Sequence, residues 1–200
     1  MEPFTVVRGP AAALLLPDIN TDLISPAHAG RGSMAANAFA PLRYLTDGSD
    51  DPGFVLNQRA FAGAPILLTG HNFGCGSSRE SAVWSLLALG IRCVIAESFG
   101  DIFFGNCFQN GVLPIELAAA DISRLAGEAS AGEAVEVNLH TRAITSPTGR
   151  TIAFTVNPSR RLQLLEGLDE LDLGLRRRAQ VEAFQQSDRR RRPWVYEHAG

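Results

Sequence analysis

Pro65-Ile66-Leu67-Leu68-Thr69-Gly70-His71-Asn72-Phe73-Gly74-Cys75-Gly76-Ser77-Ser78-Arg79-Glu80 is the stretch on which the fold turns. Pro65 to Thr69 is a short apolar run of the length and character of a buried strand. A glycine-rich loop follows, and Ser77-Ser78-Arg79-Glu80 then opens a helix predicted to run through Leu89 and to stop at Gly90. The alternation continues downstream. Arg92 to Ala96 reads as a second strand, Asp101 to Asn110 as a helix stopped at Gly111, and Val112 to Leu117 as a third strand. A β-α-β-α-β order with right-handed crossovers makes the three strands parallel neighbours.

Upstream, Phe4 to Val7 and Ala12 to Leu16 read as two short strands, followed by a polar turn from Pro17 to Asp22. Residues 26–53 are rich in Gly, Ala and Pro and read as a loop with one short helix. Beyond the parallel unit, Ala119 to Ala129 and Arg160 to Glu166 read as helices. Ala134 to Leu139, Arg142 to Thr145 and Thr151 to Val156 alternate as strands do, with Pro147-Thr148-Gly149 as a turn. A last helix falls within 170–187, with Leu175, Ala179 and Ala183 on one side, before the charge run Asp188 to Arg192. The expected fold is α/β with a mixed sheet. Its main domain spans residues 1–167, and a C-terminal helix and basic tail occupy 168–200.

Composition narrows the chemistry. A net charge of -3 gives no basis for nucleic acid or membrane as a partner. No basic residue precedes an apolar run at Met1-Glu2-Pro3, so no secretory leader is expected. Ala11 to Leu16 is too short to span a bilayer, and a soluble, cytoplasmic protein is the expectation. Cys75, Cys93 and Cys107 form neither close pairs nor a C-x-x-C, so no disulfide framework or metal centre is expected on this chain. The chain has no lysine; all 18 of its basic residues are arginine. Schiff-base chemistry and a P-loop lysine are thereby excluded, while bidentate arginine clamps for carboxylates remain.

Gly70 to Glu80 is the candidate site. A loop after a strand, ending at a helix N-terminus, presents backbone N–H groups and partial positive charge to small anions. Arg79, expected in the first helical turn, adds a charged fork. The same tetrapeptide also fits a capping box, with Ser77 as N-cap and Glu80 reaching back. Neither a dinucleotide fingerprint nor a Walker loop is present, since the third glycine and the lysine are both missing.

The longer string Asn72-Phe73-Gly74-Cys75-Gly76-Ser77-Ser78-Arg79-Glu80 resembles the N-F-G-C-G-S-S-R-E-H signature of isopropylmalate dehydratase small subunits in the aconitase superfamily. Asn20-Thr21-Asp22-Leu23-Ile24-Ser25-Pro26 resembles that family's D-T-D-x-I-x-P segment. Ser98-Phe99-Gly100-Asp101-Ile102-Phe103 resembles its S-F-A-D-I-F. Asn106 to Ile115 resembles N-N-C-F-K-N-G-L-L-P-I, and Arg192-Pro193-Trp194 has counterparts too. The resemblance runs over nearly the whole chain and implies a swivelling β/β/α domain. It implies a hydro-lyase acting on a branched hydroxy-diacid, with isopropylmalate first and homoaconitate, citramalate or a maleate-type diacid as alternatives. It further implies a large partner subunit that carries a [4Fe–4S] cluster, with no cofactor on this chain. By resemblance, Ser77 is the catalytic base, while Ser78 and Arg79 bind substrate. Asp22 matches an acidic active-site position, with an Asx-turn as its structural alternative.

Two departures from the family pattern stand out. Ser81 occupies the place of the signature histidine, and His28 that of an arginine for which Arg31 is the nearest substitute. The loss of the histidine keeps a non-catalytic, carboxylate-binding subunit as a rival expectation. His71 is expected to face solvent or lie at the rim of the site, Cys75, Cys93 and Cys107 to be packing residues, and Arg189 to Arg192 to be a solvated run.

Overall fold

The computed structural model describes residues 1–27 and 30–196. The chain divides into two compact units, Met1–Gly167 and a second from Leu168 onward. The first unit is α/β, built on a mixed seven-stranded sheet of order β4-β3-β2-β1-β5-β6-β7. β1 (Val6–Leu14), β2 (Ile66–Thr69), β3 (Cys93–Ala96) and β4 (Leu113–Glu116) are parallel neighbours. β5 (Ala134–Asn138), β6 (Ala143–Thr145) and β7 (Thr151–Ala153) continue the sheet antiparallel. The β2-α4-β3-α5-β4 succession, with α4 at Ser81–Ala88 and α5 at Asp101–Asn110, is the one the hydrophobic runs predict.

Every residue of β2 and β3 is buried, so alternate side chains feed two separate cores. Leu67, Val94 and Ala96 pack with Val83 and Leu86 of α4 and with Phe103 and Cys107 of α5. Ile66, Leu68, Cys93 and Ile95 pack on the other side with Ile122 and Leu125 of α6 (Ala119–Glu128) and with Val135, Val137 and Ile144. Helices on one face and helix plus antiparallel strands on the other bury both sides of the parallel half, as its continuous apolar runs require.

The two N-terminal strands expected from sequence are one. β1 runs straight through the expected gap at residues 8–11, and the strand changes partner there. Val6 to Pro10 pair with β5, and Ala11 to Leu14 pair with β2. The loop at 26–53 carries two short helices rather than one, α2 (Met34–Asn37) and α3 (Ala40–Arg43), after α1 (Thr21–Ile24). α7 (Pro158–Glu166) starts earlier than predicted, because Asn157 Oδ1 accepts from Ser159 N at 2.9 Å and Pro158 fits the first turn.

In the second unit, the single expected helix is two, α8 (Glu170–Arg176) and α9 (Arg178–Arg191). Asp169 and Asp172 form a reciprocal capping box at the start of α8. α9 extends into the basic run because Asp188 is buried beneath it. Arg192 Nε and Nη2 donate to the Asp188 carboxylate at 2.7 and 2.8 Å, and Tyr196 Oη donates at 3.1 Å. Those bonds, Arg192 first, hold the Asp188 carboxyl below the usual range. Arg192 is therefore tied down, while Arg189 to Arg192 are all exposed, as expected of the run. No helix among the described residues is long and apolar enough to cross a membrane.

Candidate active site

After β2 the chain turns and touches its neighbours through isolated bridges at Phe73 and Cys75, so that it is held on both flanks. On one side Gly74 N donates to Ile19 O at 2.7 Å and Thr21 N to Cys75 O at 2.9 Å. On the other, Phe73 N donates to Ser98 O at 3.0 Å and Gly100 N to Phe73 O at 2.9 Å. Beneath the loop, the Phe73 ring meets Phe103 edge-on at 5.4 Å and Phe99 at 6.4 Å. Gly74 sits at φ 74°, and a Cβ there would overlap the Phe103 ring. Only glycine allows so close an approach in that backbone conformation. The loop is a fixed platform rather than a flexible turn.

Ser77 does not cap α4, contrary to the capping-box expectation. The helix begins at Ser81 with Glu80 as its cap residue and no side-chain cap bond. Ser77 is drawn away by Thr21: the hydroxyls lie 2.9 Å apart, and Ser77 N donates to Thr21 Oγ1 at 3.2 Å. Glu80 is drawn away as well, accepting from Asn110 Nδ2 at 2.8 Å. Arg79 accordingly precedes the helix instead of lying in its first turn, which removes part of the expected helix-dipole argument. Polarity comes instead from the loop: the amides of Ser78 and Arg79 have no acceptor among the described residues.

Arg79 Nη1 forms an ion pair with Asp22 Oδ1, in a geometry that is not an aligned hydrogen bond. Three of the predicted site residues, Ser77, Arg79 and Asp22, thus converge where α1 meets the 74–80 loop. Ser78 is exposed beside them. Asn20 caps α1 through Leu23 N at 2.9 Å, so Asp22 is free of the Asx-turn duty open to it from sequence. Arg31 is engaged elsewhere: its guanidinium lies 3.5 Å above the Tyr44 ring and donates to Gly48 O at 3.2 Å. His28 lies outside the described residues.

A cavity of about 260 Å³ opens beside this platform, lined in part by Cys75, Ser77, Asp101 and Ile102. A larger one of about 370 Å³, lined in part by Phe104, Glu116 and Arg160, contains none of the predicted site residues. Cys75 therefore faces the cavity as well as packing. Burial, with Asp18 adding to it, pushes its thiol up, so it stays protonated at neutral pH. His71 is exposed, its Nδ1 3.8 Å from Asp18 Oδ1.

The Aconitase C-terminal domain family matches residues 28–120. A 3-isopropylmalate dehydratase small subunit from Cupriavidus necator is 48% identical over 205 residues, covering 98% of this chain and 99% of that relative. One from Rhodospirillum centenum is 46% identical, with coverage of 98% and 99%. This chain belongs to the 3-isopropylmalate dehydratase small-subunit family. The crystal structure of 3-isopropylmalate dehydratase (leuD) from Methanocaldococcus jannaschii matches with a TM-score of 0.64 at 26% identity, over 90% of this chain and 99% of that one.

Within the family's signature, Ser81 takes the histidine position, and its Oγ accepts from Ser25 Oγ at 3.2 Å, at the end of α1. The side chain at this position thus braces α1 against α4. Thr21 is the contact of Ser77 that sequence reasoning missed. It read as part of a polar turn, and its partner lies 56 residues away, so no local spacing marks it. Among the described residues nothing assembles the ligands of an iron–sulfur cluster: Cys93 and Cys107 are fully buried, which leaves Cys75 as the one cysteine near the cavity. Among the described residues no group of three or more potential ligands forms.

Proposed function

We propose that this chain is the small subunit of a two-subunit hydro-lyase that interconverts 3-isopropylmalate and 2-isopropylmalate in leucine biosynthesis, active in the cytoplasm with a large subunit. The observation that carries this is similarity from end to end, 98% of this chain against 99% of a relative of that name. The [4Fe–4S] cluster belongs to the large subunit and supplies Lewis-acid chemistry at the substrate hydroxyl there.

The work of this chain is proton removal and carboxylate binding. Ser77 Oγ takes the proton α to a carboxylate. A serine hydroxyl is a weak base in water, so its alkoxide depends on fixed donors aimed at the oxygen. Arg79 binds the substrate carboxylate through its planar fork, and Asp22 holds that fork in position. Ser78 adds a hydrogen bond from its hydroxyl or amide. Ser77 and Ser78 are exposed in the isolated chain. A large subunit that covers them would exclude water and strengthen every one of these contacts.

Arg31, the nearest substitute for the family's arginine, can bind a second polar group of the substrate on release from Tyr44. A second reading, the same chemistry on a homoaconitate-, citramalate- or maleate-type diacid, is favoured by Ser81 and by the altered 28–31 segment.

The test is Ser77→Ala in the complex reconstituted with its large subunit. Turnover should fall by at least about two orders of magnitude. Stability should change by only about 1 kcal/mol, for the hydrogen bond to Thr21. Retained turnover in a folded, assembled Ser77→Ala complex would remove Ser77 as the base.

A further inference from the structure

Thr21 is 1% exposed, and its hydroxyl is aimed at Ser77 alone among the described residues. A hydroxyl oxygen offers one hydrogen to donate and two lone pairs to accept. One lone pair of Thr21 Oγ1 is occupied by Ser77 N–H at 3.2 Å. The Thr21 hydrogen has one acceptor within reach, Ser77 Oγ at 2.9 Å. When both residues are neutral, either hydroxyl can donate. Once Ser77 has lost its proton, the direction is forced, because an alkoxide only accepts.

The two bonds act on one residue from one atom. The amide bond fixes the Ser77 backbone, and the hydroxyl bond meets its Oγ. Thr21 itself is immobilised by the backbone, since Thr21 N donates to Cys75 O at 2.9 Å and Ser25 N to Thr21 O at 2.9 Å. A buried, preoriented donor of this kind costs no reorganisation when charge develops.

We propose that Thr21 is a positioning residue for proton removal, holding deprotonated Ser77 in place by donating a hydrogen bond to its Oγ. This rests on the reading of Ser77 as the base. The Thr21 proton stays on Thr21 throughout; the proton lost by the substrate goes to Ser77. Asp22, the next residue, acts on Arg79, so one turn of α1 serves both the base and the clamp.

The experiment compares Thr21→Val, which keeps the shape and removes the hydroxyl, with Thr21→Ser, which keeps the hydroxyl. Both are reconstituted with the large subunit beside wild type and Ser77→Ala, and thermal stability and assembly are measured for each. Thr21→Val should lower kcat by about 100-fold, as loss of one oxyanion donor does, with KM changed less than threefold or so. Thr21→Ser should recover kcat to within about tenfold of wild type, since the donor is restored. With substrate deuterated at the carbon that loses its proton, the isotope effect on kcat should grow in Thr21→Val and stay near wild type in Thr21→Ser.

Thr21→Ala provides a second hydroxyl-free variant should Thr21→Val not assemble, and the same result is expected of it. Wild-type kinetics in a folded hydroxyl-free variant, with Ser77→Ala inactive, would overturn the role of Thr21 and leave Ser77 as the base. Equal losses in Thr21→Ser and Thr21→Val, with no change in isotope effect, would reduce Thr21 to packing. Activity in Ser77→Ala would instead overturn the reading of Ser77.

Discussion

Gly74→Ala tests whether the platform beneath Ser77 is as tight as its geometry implies. Two costs add at this position. Alanine at φ 74° occupies the left-handed region, a penalty of about 1–2 kcal/mol. Its Cβ also overlaps the Phe103 ring, which is 1% exposed and stacked against Phe99. Overpacking of that kind costs about 1–3 kcal/mol. Together they predict a loss of about 2–5 kcal/mol. For a domain of this size that lowers Tm by roughly 5–20 °C.

Gly63→Ala supplies the control. Its φ is 69°, and nothing lies within 4 Å of where its Cβ would be, so it carries the backbone penalty alone. The difference between the two variants in thermal or denaturant unfolding isolates the overlap with Phe103. In the reconstituted complex, Gly74→Ala should also lose about 100-fold in kcat, because a shift of roughly 1 Å in the loop displaces Ser77, the proposed base. Gly63→Ala should leave kcat unchanged. If Gly74→Ala is no more destabilising than Gly63→Ala, the close seating of this loop on Phe103 is refuted, and with it the rigidity attributed to the site.

Arg79→Lys should be nearly as damaging to kcat/KM as Arg79→Ala in the reconstituted complex, since lysine keeps the charge and loses the planar fork that meets a carboxylate. Near-wild-type kinetics in the lysine variant would show that a point charge suffices. At a distance from the site, the Glu128 carboxyl is lowered from 4.5 to about 2 by Ser146 above all, then Thr148 and Arg150. Its folded value lies below its unfolded one, so its stabilisation is full above about pH 4.5 and fades as pH falls toward about 2. The difference in thermal stability between wild type and Glu128→Gln should shrink on acidification through that window; a difference independent of pH would count against the assignment.

What was legible in the sequence was whatever depends on periodicity. Ile66 to Thr69 and Cys93 to Ala96 are continuous apolar runs because both their faces are buried, and that pattern alone gives parallel strands. What escaped reading was every choice made between a local and a distant partner. Ser77 and Glu80 have the spacing of a cap, but Thr21 and Asn110, 56 and 30 residues away, compete for the same atoms and win. The gap expected between Val7 and Ala12 is likewise closed by distant partners, β5 pairing up to Pro10 and β2 from Ala11. The contact of Asp22 with Arg79 follows from the same meeting of α1 with the 74–80 loop. The resemblance named both residues as members of a site, whereas nothing in their own surroundings links them.

The position of β1 also sets an order of events during synthesis. Val6 pairs with Asn138 and Ala11 with Ile66, so the first strand made is the seam between the parallel and antiparallel halves of the sheet. The parallel half can gather once β4 has left the ribosome. The outer edge of β1 then waits, unpaired, until residues 134–138 are available. During that interval the unpaired backbone of Val6 to Pro10 is exposed to other nascent chains, a hazard that falls with faster elongation and rises with crowding of ribosomes on the message.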